Sequence, residues 1–238
     1  MGFEDLVLLQ KVLASLLVGY LLGSVPFAHL AARLRGVDIF STGNRRAGTA
    51  NVFWNVGRRT GLLVFAADVA KGSLAVMIAQ LLDLWGPLVL LSGGAAVLGH
   101  WRSVFTGFKG GDGMATLVGV TLALTPLLGL LGVAAGFATV AAAWKASYRS
   151  AWGIVVCFSL ILGVGFANGQ SPDLLIGLGA LAILVLAHNV LIRRRLAAAG
   201  SMPRDDLDDL ELDLGLDLDL GSDEGSDSDL GPTASNNR

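Results

Sequence analysis

Residues 113–144 read GMATLVGVTLALTPLLGLLGVAAGFATVAAAW, and the fold turns on whether this stretch crosses a membrane once or twice. Its 32 residues exceed the roughly 20 that one helix needs to span a hydrocarbon core. Pro126, which lacks a backbone N–H and cannot sit quietly inside a helix, stands near the middle. Outward from it lie apolar runs at 6–32, 61–82, 86–101, 151–168 and 173–192. Basic residues decide the count. Arg33, Arg35, Arg45, Arg46, Arg58 and Arg59 fill the first loop, and Arg102 and Lys109 precede residue 113. Lys145 and Arg149 follow it, and Arg193, Arg194 and Arg195 end the last run. The connections near 83–85 and 168–172 carry no basic residue, and the N-terminus opens with Glu4 and Asp5. Lysine and arginine collect on the cytoplasmic side. Two crossings by 113–144 put every basic cluster inside; one crossing strands half of them outside. The expectation is therefore an all-α polytopic membrane protein of seven transmembrane helices, N-terminus out and C-terminus in, the fourth and fifth short enough to require tilt or local thinning.

Composition agrees. Of the 238 residues 53% are hydrophobic, and the mean hydropathy is +0.65. The net charge of −2 averages two unlike parts. Residues 1–200 hold 15 basic and 7 acidic side chains, whereas 201–238 hold 12 acidic and 2 basic. The chain thus divides into a membrane domain, 1–200, and an acidic Asp/Leu-rich tail, 201–238, whose like charges predict disorder. The tail's other reading is an interaction segment that folds back on the basic cytoplasmic face. The single cysteine, Cys157, excludes an intrachain disulfide and reads as a small buried apolar residue. The acidic MGFED start, before an overlong apolar run, reads as a true first span and not a cleaved signal.

Charge inside a span is costly and marks a functional candidate. Asp68 and Lys71, in FAADVAKGS, stand three residues apart on one helical face and can pair; a structural ion pair, or a Lys71 that snorkels to the interface, is the alternative. Trp54, Trp85, Trp101, Trp144 and Trp152 lie near span ends and fit an aromatic belt.

Two cytoplasmic loops carry chemistry. The first, Arg35 to Gly61, is rich in glycine, hydroxyl, amide and arginine. The second, GHWRSVFTGFKGGDGMAT (99–116), contains Gly110, Gly111 and Gly113, which let backbone N–H groups approach an anion at the start of a helix. Lys109 adds a point charge. The loop is not the GxxxxGK[ST] of nucleotide hydrolases, no metal-ligand spacing occurs, and there is no GxSxG elbow.

Several collinear strings then point to one family. GSVPFAHLAARLRGVDI (23–39), GTANV (48–52), GLLVFAADVAKG (61–72), the loop 99–116, YRSAWGI (148–154) and His188 before Ile192-Arg193-Arg194 resemble the bacterial acyl-phosphate-dependent glycerol-3-phosphate acyltransferases. The resemblance spans about 15–196. It implies a seven-span enzyme of the bacterial inner membrane with its active site facing the cytoplasm. The 1-hydroxyl of glycerol-3-phosphate attacks a fatty acyl-phosphate, giving lysophosphatidic acid and phosphate, with no cofactor, no metal and no covalent enzyme intermediate. The implied partners are the two substrates, membrane lipids and an upstream enzyme that forms the acyl-phosphate; nucleic acid is not among them.

The resemblance carries over Asn51, Lys71, Lys109, Gly110, Gly111, Gly113, Thr116 and Ser150 as substrate-binding residues and His188 as a catalytic one. It also has departures. Asn44 stands where the family has serine, Arg45 and Arg46 replace glycine and asparagine, and Trp54 replaces an arginine. Asp112 replaces the second lysine of FKGGKG, and Leu191 an asparagine. Lysine to aspartate removes two units of charge, which Arg45 and Arg46 restore in the facing loop. The expectation is that phosphate is bound by Arg45, Arg46 and Lys109, with Asn44 among the substrate-binding residues. Asp112 then caps the next helix, pairs with an arginine, or acts as a base toward the acceptor hydroxyl. Two other readings stay open: a relative that has lost catalysis and binds or senses lipid, and a transporter of small anions or lipids.

Overall fold

The structure, a computed structural model, describes residues 2–143 and 149–198; the acidic tail, Trp144, Lys145 and the Arg149 side chain lie outside what it describes. The regular structure of the described residues is helical throughout: α1 (Phe3–Ser24), α2 (Phe27–Arg33), α3 (Thr49–Asn55), α4 (Arg58–Leu81), α5 (Pro87–Trp101), α6 (Met114–Leu124), α7 (Pro126–Ala142), α8 (Arg149–Ala167) and α9 (Pro172–Ala198), with a 3-10 turn at Val104–Thr106. Five stretches among them are long and apolar enough to cross a membrane: Phe3–Arg33, Arg58–Leu81, Pro87–Thr106, Ser150–Ala167 and Pro172–Arg195.

The disputed stretch breaks at Thr125–Pro126 into α6 and α7, both apolar but shorter than a full span. At 1.5 Å per residue they measure about 16 and 26 Å. Asp112 and Met114, at the start of α6, line the same cavity as Ser150 and Ala151, at the start of α8. The chain therefore leaves one end of the bundle through α6 and returns to that end through α7. Charge parity asks for this path, and Pro126 enforces the turn.

The first run differs from expectation. In place of one helix over 6–32 the chain breaks at Val25–Pro26 into α1 and α2. The residue before a proline is pushed out of the helical region, and Val25 has ψ 116°. Its carbonyl accepts from the Lys71 ammonium at 3.2 Å. The far end of the bundle carries an exposed Lys11–Asp83 pair at 2.9 Å.

Lipid tails are as apolar as leucine, so helices in a membrane associate through close packing and hydrogen bonds. Small residues supply both here. On the α4–α6 seam a Cβ on Gly119 would overlap the Val69 carbonyl, and the Ser73 hydroxyl donates to the Gly119 carbonyl at 2.9 Å. The Ser92 hydroxyl of α5 lies within 3.0 Å of Ser15 O on α1 and 2.9 Å of Ala75 O on α4. Val76, Val97, Val120, Ile161, Leu178 and Val185 form the buried apolar core, and Cys157 lies in it. Leu62, Leu63, Leu127 and Leu130 face outward, as a lipid-facing surface requires. Trp54, Trp85 and Trp152 are exposed near helix ends. Trp101 departs from the belt expectation: its indole turns inward and hydrogen-bonds the glycine-rich loop.

Candidate active site

At the basic end the helices hand over to two loops, residues 34–48 and 102–113, which lie against each other. Asp38 nucleates the first. Its Oδ1 accepts from Phe40 N–H at 3.1 Å, and its carbonyl accepts the hydroxyls of Ser41 at 3.0 Å and Thr42 at 2.8 Å. Asn51, on α3 and 2% exposed, fastens the loop from behind. Its Nδ2 lies 3.2, 2.9 and 2.9 Å from the carbonyls of Ile39, Thr42 and Arg46. Its Oδ1 accepts from Asn55 at 2.8 Å. Every polar atom of this side chain is spent on the fold, so Asn51 shapes the loop and has nothing left for a substrate. Asn51→Leu is expected to lower stability by about 1–3 kcal/mol, the cost of stranding buried carbonyls. Faster tryptic cleavage after Arg45 and an earlier thermal transition would report it.

The second loop is tied to the first by Ala47 N–H donating to Gly110 O at 3.1 Å, and to α5 by Gly111 N–H donating to His100 O at 3.1 Å. The glycines are required by this closeness. A Cβ on Gly110 would run into the His100 and Trp101 carbonyls, and one on Gly111 into Ala47 O and His100 Nε2. One donor of the cradle expected of the sequence is thus spent, because the Gly111 N–H is already taken. Gly113, with φ +78°, is the residue that caps α6, and no side chain bonds there.

Asp112 therefore does not cap. Its carboxylate lies 2.5 Å from Arg46 Nη1, and both residues are 8% exposed. Its carbonyl accepts from Trp101 Nε1 at 3.0 Å and from Asn189 Nδ2 at 3.1 Å. His188 stacks on Trp101 with ring centroids 3.9 Å apart.

The contact between the two loops is a wall with a cavity on each side. Arg46 and Asp112 face an open cavity of about 440 Å³, shared with Asn44, Ser150, Asn189 and Arg193 and floored by Met114, Leu186 and Val190. Ala47 and Gly110 face the other, about 220 Å³, lined also by Ser24, Asp68, Lys71, His100 and Lys109. Here Lys71 Nζ is 2.8 Å from Asp68 Oδ1, and His100 Nδ1 is 3.7 Å from the same oxygen. Lys71 is 3% exposed, so it is held inside and does not snorkel. Lys109 is exposed, its ammonium 5.7 Å from the centre of the Phe40 ring.

The joint phosphate site expected of Arg45, Arg46 and Lys109 is thus corrected. Arg46 and Lys109 face different cavities, and Arg45, exposed and with φ +56°, lines neither. Thr116 is fully buried, its carbonyl against Gly72 where α4 meets α6, and lines neither cavity. His188 likewise stands outside both, against Trp101. Asn44, Ser150, Lys71 and Gly110 do line cavities. The sequence reading marked Asp68 as a functional candidate without assigning it to the site, and left His100, Asn189 and Arg193 off it. For Asp68 and His100 a signal existed, since both lie inside the collinear strings; Asn189 directly follows the matched His188, two residues before the leucine that breaks the pattern, and nothing in the string marks it.

The model of the family described as glycerol-3-phosphate acyltransferase matches residues 13–198, which include every residue of both cavities. A glycerol-3-phosphate acyltransferase of Trichlorobacter lovleyi is 38% identical over 183 residues, 76% of this chain and 92% of the relative. The chain belongs to the glycerol-3-phosphate acyltransferase family. Solved members are similar in three dimensions as well. The crystal structure of PlsY (YgiH), an integral membrane glycerol 3-phosphate acyltransferase, in its glycerol 3-phosphate form is 29% identical, with a TM-score of 0.66 over 81% of this chain and 94% of that one. Its lysophosphatidic acid form gives a TM-score of 0.63 over 84% and 98%, again at 29% identity.

Proposed function

We propose that this protein transfers a fatty acyl group from acyl-phosphate to the 1-hydroxyl of glycerol-3-phosphate at the basic end of the bundle. The observation that carries the reading is Arg46: its guanidinium is buried on the wall of the larger cavity, Asp112 takes Nη1, and Nη2 has no hydrogen-bond partner. A buried guanidinium with a free edge suits the phosphate of the acceptor. Asn44 and Ser150 stand ready to hydrogen-bond the glycerol, and Leu186 and Val190 supply an apolar floor for the acyl chain. Lys71 and Lys109, on the other side of the wall, suit the donor's phosphate.

In the reaction the acceptor oxygen forms a bond to the acyl carbon, and the bond from that carbon to the phosphate oxygen breaks. Phosphate leaves with the electron pair. Acyl phosphates are already activated, so the protein's work is positioning, charge neutralisation and exclusion of water. Asp112 is engaged by Arg46 and His188 is stacked on Trp101; the departing phosphate is itself a base able to take the hydroxyl proton.

The same reading places the protein in the bacterial inner membrane with seven crossings, N-terminus out, C-terminus in and the two loops at the cytoplasmic face. What supports it is the gathering of basic residues at one end, against a single neutralised lysine at the other. Residues 1–200 form the catalytic domain and 201–238 an appended tail. The donor comes from an upstream enzyme that makes acyl-phosphate.

Purified protein in bilayer discs, given palmitoyl-phosphate and glycerol-3-phosphate, is expected to yield lysophosphatidic acid by mass spectrometry. Lys109→Ala is expected to slow it by about tenfold or more through the loss of a charge at the reacting phosphate. Silence from well-folded wild-type protein would sink the reading.

A further inference from the structure

The basic end carries more charge than the two cavities use. Arg33, Arg35, Arg58, Arg59, Arg194 and Arg195 are exposed there. Lys11, Arg46, Lys71 and His100 make ion pairs, and none of the four is in this exposed set. The exposed acid at this end is Asp38, since Asp68 and Asp112 are buried. Such a surface needs counter-charge.

The chain supplies it in the next residues. Helix α9 carries Arg193 on the rim of the larger cavity and runs on to Ala198, about 8 Å further along the axis. Beyond residue 200 come 12 acidic residues and 2 basic ones, a net of −10 that offsets the +8 of residues 1–200. The pattern is amphipathic as well. LELDLGLDLDL (210–220) places leucine at every second position, so an extended stretch of it would present acids on one side and leucines on the other. The surface matches that pattern: exposed Val104, Phe105 and Phe108 lie beside exposed Arg102 and Lys109. Anionic headgroups at a cytoplasmic leaflet would repel the same segment.

We infer that the acidic segment Asp205–Asp229 docks on the basic end of the bundle and competes there with phosphate-bearing ligands for entry to the cavities. Tethering makes this competitor effective, because a link of a few residues to α9 holds it at about millimolar local concentration. The competition is electrostatic and fades as salt shortens the Debye length. This regulation of the site rests on the reading of the basic end as a phosphate site, whereas the docking itself does not require catalysis.

Two measurements on the full chain test it separately. A nitroxide on Ser226→Cys in zwitterionic discs, with Cys157 buried in the core, reports tail mobility. The expected spectrum has an immobilised component at about 20 mM salt that is lost at about 500 mM. That component should also disappear in Arg194→Gln/Arg195→Gln and on adding inorganic phosphate. A fully mobile label at both salts overturns the docking. In the second measurement the eight acids from Asp205 to Asp219 are replaced by their amides. The apparent KM for glycerol-3-phosphate at low salt is expected to fall about threefold to tenfold with kcat unchanged, as for a tethered competitor. An unchanged KM overturns the competition. If neither chain makes product, the acyl-transfer reading has failed, and the spin label still decides the docking.

Discussion

Arg46→Ala is expected to lower acyl transfer by about 100-fold or more, the usual loss when a buried donor to a reacting anion is removed. Arg45→Ala should stay within about threefold, as an exposed side chain away from the pocket allows. The two arginines are adjacent in sequence and alike in chemistry, so the contrast isolates burial and position. Arg46 is 8% exposed and faces a cavity, whereas Arg45 lines neither. Truncating Arg46 also leaves the Asp112 carboxylate buried and unpaired, for a loss of about 3–5 kcal/mol of stability. Activity and folding must therefore be read apart. Asp112→Asn keeps the shape of the partner and removes its charge; Asp112→Lys sets a second cation against the guanidinium 2.5 Å from the carboxylate it replaces. The lysine variant is expected to lose activity, although it restores the family's residue at that position. Mass-spectrometric assay of lysophosphatidic acid, titration of glycerol-3-phosphate and a thermal melt together check the set. An Arg46→Ala protein with wild-type affinity and turnover would remove Arg46 from the site.

The second large effect is expected at the buried Asp68–Lys71 pair. Lys71→Met strips the ammonium from Asp68 and from the Val25 carbonyl at the break between α1 and α2. It leaves a carboxylate that is 1% exposed, for a loss of about 3–5 kcal/mol and a thermal transition lower by roughly 6–20 °C. Asp68→Asn/Lys71→Met removes both charges and is expected to recover most of that stability, since a neutral buried pair is often as stable as an ionic one. Turnover should stay depressed by about tenfold or more, because the smaller cavity has lost its buried cation. Full recovery of both would make the pair a scaffold and take Lys71 out of the site.

Much of the fold could be read before the structure. The limits of α4, α5, α8 and α9 fall within a few residues of the runs 61–82, 86–101, 151–168 and 173–192, apart from the extension of α9 to Ala198. The α6–α7 hairpin followed from where the arginines and lysines lie, although hydropathy alone left it undecided. The break at Pro26 escaped notice because the run around it stays apolar on both sides. The site was legible in its parts and not in its arrangement. Both loops were picked out, and that Asp112 pairs with an arginine was one of the options. The choice of Arg46 over Arg45, the wall that separates Arg46 from Lys109, and the engagement of Asp112 by Trp101 and Asn189 were not visible.

Sequence by itself determined which segments are apolar helices of a membrane bundle, which end of the bundle is basic, and to which family the strings between residues 15 and 196 are similar. These are local properties: a helix must be apolar along its length, and charge stays with the loop that carries it. Tertiary structure alone decided which polar groups are consumed by the fold and which still face a cavity. Asn51 spends every polar atom within its own neighbourhood, while Asn189 reaches a carbonyl 77 positions away. Hydrogen-bond capacity is finite and is allotted by contacts distant in sequence, so no motif can state what remains of it for a substrate.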